Sequence, residues 1–276
     1  MPLRDDYLKS LDTDEGDVTK ILWYSGVAQA AVTLDKHGDT PERNTSQSRI
    51  FNDTREEGTW RSGSENDSRL IFPIGSLTKL LIAFLISIMV DKLPYSDKPE
   101  DEQYRRLRKL YPDPWGTIFT TLFNSFSEKR IAPLPKNPLL RHVLLHFNSL
   151  PPMNSILLAP DGTSLMSVEE FLEVAPRLSQ EGESIEYSNG NYILIGLLIQ
   201  AIAPPHETLQ TLMYKHIFKP LDMNHTYMSR TDVGDTPYAR PHVVSTRGRR
   251  ELVHDPGYGA DTIVCPAMGA FSCTKD

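Results

Sequence analysis

The chain of 276 residues is poor in the features that mark several large protein classes. Cysteine occurs only at Cys265 and Cys273, which gives no disulfide framework and no zinc-ligand spacing. Both read as free thiols. Basic charge is also short: the formal net charge is -7, which disfavours non-specific binding to nucleic acid or to an anionic membrane surface. The basic clusters "YRRLRKLY" and "RGRR" are brief and flanked by acids, as solvated faces are. No apolar stretch reaches bilayer length, and the longest uncharged run, Leu80 to Val90, suits a buried core helix. The opening "MPLRDDYLKSLDTDEGD" lacks the apolar segment of a secretory signal. These absences predict a cytoplasmic protein with no membrane span, no nucleic-acid partner, no metal and no cofactor.

What is present is organised from front to back. "GVAQAAVTLDKHGD" (26–39) reads as a strand entering a hairpin. Residues 40–68 are polar with few apolar anchors and read as a surface loop. "RLIFPIG" is a short strand broken by Pro73 and Gly75, and the proline-rich 94–138 stretch suits short helices joined by turns. "NPLLRHVLLHF" reads as an amphipathic helix with Pro138 near its first turn. "SLMSVEEFLEVA" opens a helix at Ser164 or Ser167, with Glu170 near its third position. "NYILIGLLIQAI" is a strongly apolar helix stopped by Pro204 and Pro205, and "TLQTLMYKHIFKPL" is another, ending at Pro220. No internal repeat and no βαβ alternation is visible. The expected class is therefore α+β: an antiparallel sheet flanked by helices, plus a mainly helical region.

Two polar motifs sit at the mouths of the apolar helices. In "FPIGSLTKLLIAFLISIMV", Ser76 opens a helix and Lys79 follows one turn later on the same face. The helix N-terminus favours negative charge near the serine, and burial would lower the lysine pKa enough to make it a base or proton relay. Ser-x-x-Lys alone is weak. A second copy, "SCTK" (272–275), has no apolar helix behind it, and a capping serine beside a snorkelling lysine is the commoner origin of such a spacing. "EYSNGNYILIGLLIQAI" adds Tyr187 and Asn189, a phenol to shuttle a proton and an amide to hold substrate, although a turn with a capping Asn has the same pattern.

Taken together, "FPIGSLTK", "YSN", "LLHFNSLP", "YSNGNYILIGLLIQAI" with "HIFKPLDMNHT", and the strand "GVAQAAVTLD" resemble the serine β-lactamase and penicillin-binding-protein superfamily. The similarity is to its class C-like esterase and acyltransferase branch and runs in family order from Gly26 onward. The resemblance implies a β-lactamase/transpeptidase-like domain over 1–276, with Ser76, Lys79 and Tyr187 catalytic and Asn189 binding substrate. It implies a serine hydrolase or acyltransferase that forms an acyl-enzyme with a small ester, thioester or amide, in secondary metabolism. Departures are also present. His146-Phe147-Asn148-Ser149 replaces His-Thr-Ser-Gly, and Glu181-Gly182 stands where Pro-Gly is usual. "GAFSCTKD" matches a family segment that precedes the third motif, so the domain's C-terminal strands are expected to be missing. That leaves an alternative, a catalytically silent protein that binds a ligand or partner without turnover, and it raises self-association through an incomplete sheet.

Overall fold

The computed structural model describes residues 29–36, 45–53, 60–62, 70–148, 150–159, 163–179, 185–236, 238–239, 242–244, 250–252 and 262–276. Where the sequence reads as one domain over 1–276, the contacts group into two compact units. The first comprises 1–72, 235–255 and 273–276, and the second 73–234 and 256–272.

The first unit is built on backbone ladders. Strand β1 (Gln29–Lys36) pairs antiparallel with β2 (Thr45–Asp53), from Gln29 opposite Asn52 to Lys36 opposite Thr45. Strand β3 (Trp60–Ser62) adds antiparallel to β2, with Asp53 opposite Trp60. These strands correct the reading of 40–68 as a loop. Pairing uses main-chain donors and acceptors, so a polar stretch can carry a ladder that its composition hides. The remaining residues of 40–68 lie outside the described residues, as do Glu181 and Gly182.

Helices make the second unit. Strand β4 (Phe72–Pro73) leads into a 3₁₀ turn, Gly75–Leu77, and then helix α1 (Thr78–Ser87), which widens into a π turn at Ile88–Lys92. After α2 (Glu102–Leu110) and α3 (Phe119–Phe126) comes α4, which spans only Leu140–Leu144. The longer helix expected there does not form. Pro138 lies ahead of the first turn and gives its carbonyl to the Phe119 amide, while His146 takes a left-handed φ of 59° that ends the helix. Helix α5 (Asn154–Leu157) is a single turn. Helix α6 (Val168–Leu178) opens with a capping box: the Ser167 hydroxyl accepts from the Glu170 amide, and the Glu170 carboxylate accepts from the Ser167 amide.

Helix α7 (Asn189–Ile202) is the axis of this unit. Ile193, Leu194, Ile195, Leu198, Ile199 and Ile202 have no exposed surface, so the helix is buried around most of its circumference, with one side open at Leu197, Gln200 and Ala201. Each such side chain contributes about 1.5–3 kcal/mol of burial. Helix α8 (Leu209–Met213) runs into a π turn at Tyr214–Phe218, and α9 (Arg230–Val233) is capped by Ser229. Strands β5 (His242–Val244) and β6 (Arg250–Leu252) form an antiparallel pair in the first unit. Helix α10 (Cys265–Met268) then precedes β7 (Phe271–Ser272). Cys265 and Cys273 are both buried and neither forms a disulfide; the Cys265 thiol donates to the Met228 carbonyl at 3.2 Å.

Helices α1, α7 and α10 pack together, and one glycine sets their spacing. A Cβ added at Gly196 would lie 2.2 Å from Pro266 Cγ. The proline ring rests where a side chain would be. Gly196→Ala should therefore cost about 1–3 kcal/mol, as overpacking does. Urea unfolding should show a lower midpoint at unchanged slope; an unmoved midpoint would mean that α10 shifts aside freely.

Candidate active site

The site begins with a backbone choice. Gly75 has φ 51°, a conformation that side chains resist, and it turns the chain from β4 into the 3₁₀ turn that carries Ser76. Thr78 then locks that turn. Its hydroxyl donates to the Gly75 carbonyl at 2.6 Å and accepts the Ala270 amide at 3.0 Å, while the Ile74 amide donates to the Ala270 carbonyl. Ser76 is left exposed at the opening turn, where amide groups have no intrahelical acceptor.

Lys79 is buried, one turn on. Its Nζ donates to Ser76 Oγ at 3.2 Å, to Asn189 Oδ1 at 2.7 Å and to the Ala267 carbonyl at 2.8 Å. An ammonium has three donors, and here each has a neutral acceptor. Burial lowers the lysine pKa below its usual value, more than Tyr187 raises it. The amine form is thus brought closer to neutral pH.

Tyr187 completes the contact set. Its hydroxyl donates to Ser76 Oγ at 2.7 Å, and its ring centroid lies 4.9 Å from Lys79 Nζ. Partial burial pushes the phenol up, but the Lys79 and Ser76 groups beside it outweigh this and hold it below the usual tyrosine value. With both neighbours protonated, Ser76 Oγ accepts twice and its own proton has no base. Activation needs one neighbour deprotonated, and both are shifted in that direction.

Asn189 starts α7, and its amide is oriented by use at both ends: the oxygen takes Lys79, and the nitrogen donates to Asn154 Oδ1 at 2.6 Å. Ser188, fully buried, caps α7 by accepting the Gly190 amide and donates to the Pro151 carbonyl at 2.7 Å. The Gly190 Cα is enclosed, since an added Cβ would lie 2.7 Å from Leu150 Cδ2. Behind the motif, His146 Nδ1 accepts the Ser188 amide at 3.2 Å and lies 3.1 Å from Asn191 Nδ2, whose Oδ1 accepts from Asn148 Nδ2 at 2.6 Å.

Residues 52–276 match the family description "Beta-lactamase". The chain belongs to the beta-lactamase family. It is 24% identical over 200 residues to Unguisins hydrolase ungD of Aspergillus violaceofuscus, covering 67% of this chain and 32% of that protein. The fold is similar to the octameric penicillin-binding protein homologue from Pyrococcus abyssi, with TM-score 0.63, 20% identity and coverage of 95% of this chain and 53% of that one. It is also similar to the D-amino acid amidase from Ochrobactrum anthropi SV3, with TM-score 0.58, 17% identity and coverage of 93% and 64%. The chain thus spans about a third of the curated relative (32%) and 53–64% of these structures. Among the described residues, no helix is long and apolar enough to cross a membrane.

The structure brings Ser76, Lys79, Tyr187 and Asn189 into one hydrogen-bonded group within the second unit. The other Ser-x-x-Lys does not resemble it. Ser272 lies buried on β7 with its hydroxyl 2.8 Å from Thr226 Oγ1, and Lys275 is exposed. The sequence reading missed the Ala267 carbonyl, Asn154, Asn191 and the Thr78 clasp. A main-chain acceptor leaves no trace in residue identity, and the two asparagines sit in the first turns of helices, Asn154 in α5 and Asn191 in α7, where an asparagine is commonplace. Ser149, part of the altered "HFNS" segment, lies outside the described residues.

A pH test follows from the histidine. Burial lowers the His146 pKa below its usual value, and the Lys79 charge adds to this. His216 is lowered by burial as well. The folded state therefore binds these protons more weakly than the unfolded chain, and stability is lost as pH falls below about 6.5. Thermal midpoints should hold above that value and drop beneath it. His146→Asn, which keeps a residue tolerant of positive φ, should flatten the acid slope; an unchanged slope would assign the effect to other groups.

Proposed function

We propose that the protein is a serine hydrolase that works through an acyl-enzyme on Ser76. One observation carries this reading: Ser76 Oγ has Tyr187 Oη at 2.7 Å and Lys79 Nζ at 3.2 Å. Ser76 Oγ attacks the carbonyl carbon of a small ester, thioester or amide, and its proton passes to the deprotonated member of the Tyr187–Lys79 pair. The Ser76 amide, at the opening turn, supplies one donor to the developing oxyanion. Collapse of the tetrahedral adduct breaks the bond to the leaving group, which takes that proton. Water then repeats the addition and frees Ser76. Asn189, buried with both ends of its amide engaged, steadies Lys79 beside the nucleophile.

Hydrolysis is favoured over transfer to an alcohol or amine by the names of two relatives, an unguisins hydrolase and a D-amino acid amidase. An amide substrate from secondary metabolism, met in the cytoplasm, fits that reading. Self-association belongs to the proposal too. Leu77, Leu80 and Phe84 share one side of the turn and helix and are 59%, 59% and 64% exposed, and the Pyrococcus abyssi homologue is described as octameric. The alternative of a silent binding protein has less support, because nucleophile, lysine and tyrosine are all in contact.

Labelling with a fluorophosphonate, followed by mass spectrometry of the adduct, tests the reading. Wild type should carry the label on Ser76, Ser76→Ala should carry none, and Ser272→Ala should label at the wild-type rate within a few-fold. Equal loss from both substitutions would overturn the assignment. The labelling rate should rise with pH and level off below the usual lysine value of 10.5, because the Lys79 pKa is lowered. A rate flat from neutral to alkaline pH would mean that neither neighbour acts as base.

A further inference from the structure

The segment that delivers Tyr187 has little holding it in its own backbone. Residues 185–188 are extended, outside any helix or strand, and Ile185 and Tyr187 are 73% and 52% exposed. Such a segment would let the phenol wander, yet Tyr187 Oη sits 2.7 Å from Ser76 Oγ. Ser188 is anchored through its hydroxyl to the Pro151 carbonyl, and the further restraint comes from one residue on the far side of the motif. The His146 carbonyl accepts the Glu186 amide at 3.4 Å, its ring packs against Tyr187 at a tilt of 35° with centroids 4.7 Å apart, and its Nδ1 accepts the Ser188 amide at 3.2 Å. Three consecutive residues, 186 to 188, are thus each held by His146.

The histidine is itself fixed. Its φ of 59° turns the ring back under the motif, Asn191 Nδ2 lies 3.1 Å from Nδ1, and the Tyr192 ring lies 5.5 Å away. Two amides directed at Nδ1 require that nitrogen to be the acceptor, so the neutral ring carries its proton on Nε2. The charged and titratable groups facing the ring are Lys79 from α1, Tyr187 from the extended segment and Tyr192 from α7.

We propose that His146 is a positioning residue for the acylation step: it clamps residues 186 to 188 so that the Tyr187 hydroxyl stays on Ser76. The proposal rests on the reading of Ser76 as nucleophile. A side chain that merely filled the core would not need an acceptor aimed at the Ser188 amide together with a ring against Tyr187. Losing the clamp should leave Ser76 and Lys79 in place and displace only the tyrosine. A shift of about 1 Å in a reacting group costs on the order of 10²-fold in rate.

The experiment compares wild type, His146→Ala, His146→Asn, Tyr187→Phe and the His146→Ala/Tyr187→Phe double variant, using fluorophosphonate labelling and p-nitrophenyl ester turnover. Asparagine suits the backbone conformation and retains an acceptor at the δ position. His146→Ala should lower the labelling rate and kcat at least about tenfold with KM little changed, and His146→Asn should recover most of that loss. In the Tyr187→Phe background His146→Ala should add almost nothing, because the two act through one contact. A second readout needs no activity: the Tyr187 phenol, followed by carbon-13 NMR, should titrate below free tyrosine in wild type and move up toward it in His146→Ala. Losses that multiply independently, an alanine variant as fast as wild type, or a tyrosine titration that ignores His146 would each overturn the proposal. If His146→Ala does not fold, His146→Asn decides it through the same titration, which must remain near wild type. Wild type that never labels at Ser76 would instead end the reading of the preceding subsection, while the titration still decides this one.

Discussion

One buried ammonium holds the second unit's polar centre together. Lys79 gives its three hydrogens to a hydroxyl on the 3₁₀ turn, to an amide at the start of α7 and to a carbonyl in α10. Those acceptors come from segments far apart in sequence, so the charge works as a joint between them. Taking an ammonium out of water is costly, and neutral dipoles offset that cost only in part, which is why the lysine pKa falls. The same imbalance that weakens the joint prepares the amine for proton transfer. Stability and reactivity are here two readings of one desolvated charge.

The rest of the unit serves this joint. Gly75 and Thr78 set the angle at which the serine leaves the chain, and Gly196 lets Pro266 come close enough for Ala267 to reach the lysine. Ser188 and Asn154 fix the opening of α7, so that the Asn189 oxygen rather than its nitrogen faces Nζ. None of these residues reacts. Each removes a freedom that the reacting groups would otherwise have.

Much of this was legible in the chain. Apolar runs bounded by prolines announce α1 and α7, and the Ser167–Glu170 pair announces the start of α6, because burial and capping act locally. Ser76, Lys79, Tyr187 and Asn189 stand out as polar groups at the mouths of apolar helices, but each motif alone is weak, and only the resemblance of the combined motifs to a family singles them out. The strands within 40–68 were hidden, since backbone pairing does not depend on apolar side chains. The short α4 was hidden as well: nothing in "LLHF" signals that a histidine will adopt a left-handed backbone. Carbonyl acceptors such as Ala267 are beyond any reading of residue types.

That left-handed histidine limits how this segment can drift. A single base change in either histidine codon reaches tyrosine, glutamine, leucine, proline, arginine, asparagine or aspartate. A φ of 59° suits only asparagine and aspartate among these. Aspartate would bring a carboxylate toward Lys79, whose charge already acts on this site, and would return the lysine pKa toward the value of a free amine. Asparagine is then the one neighbouring codon compatible with both the turn and the desolvated lysine. At position 146 the genetic code offers a nearly closed door, set by one dihedral angle and one charge.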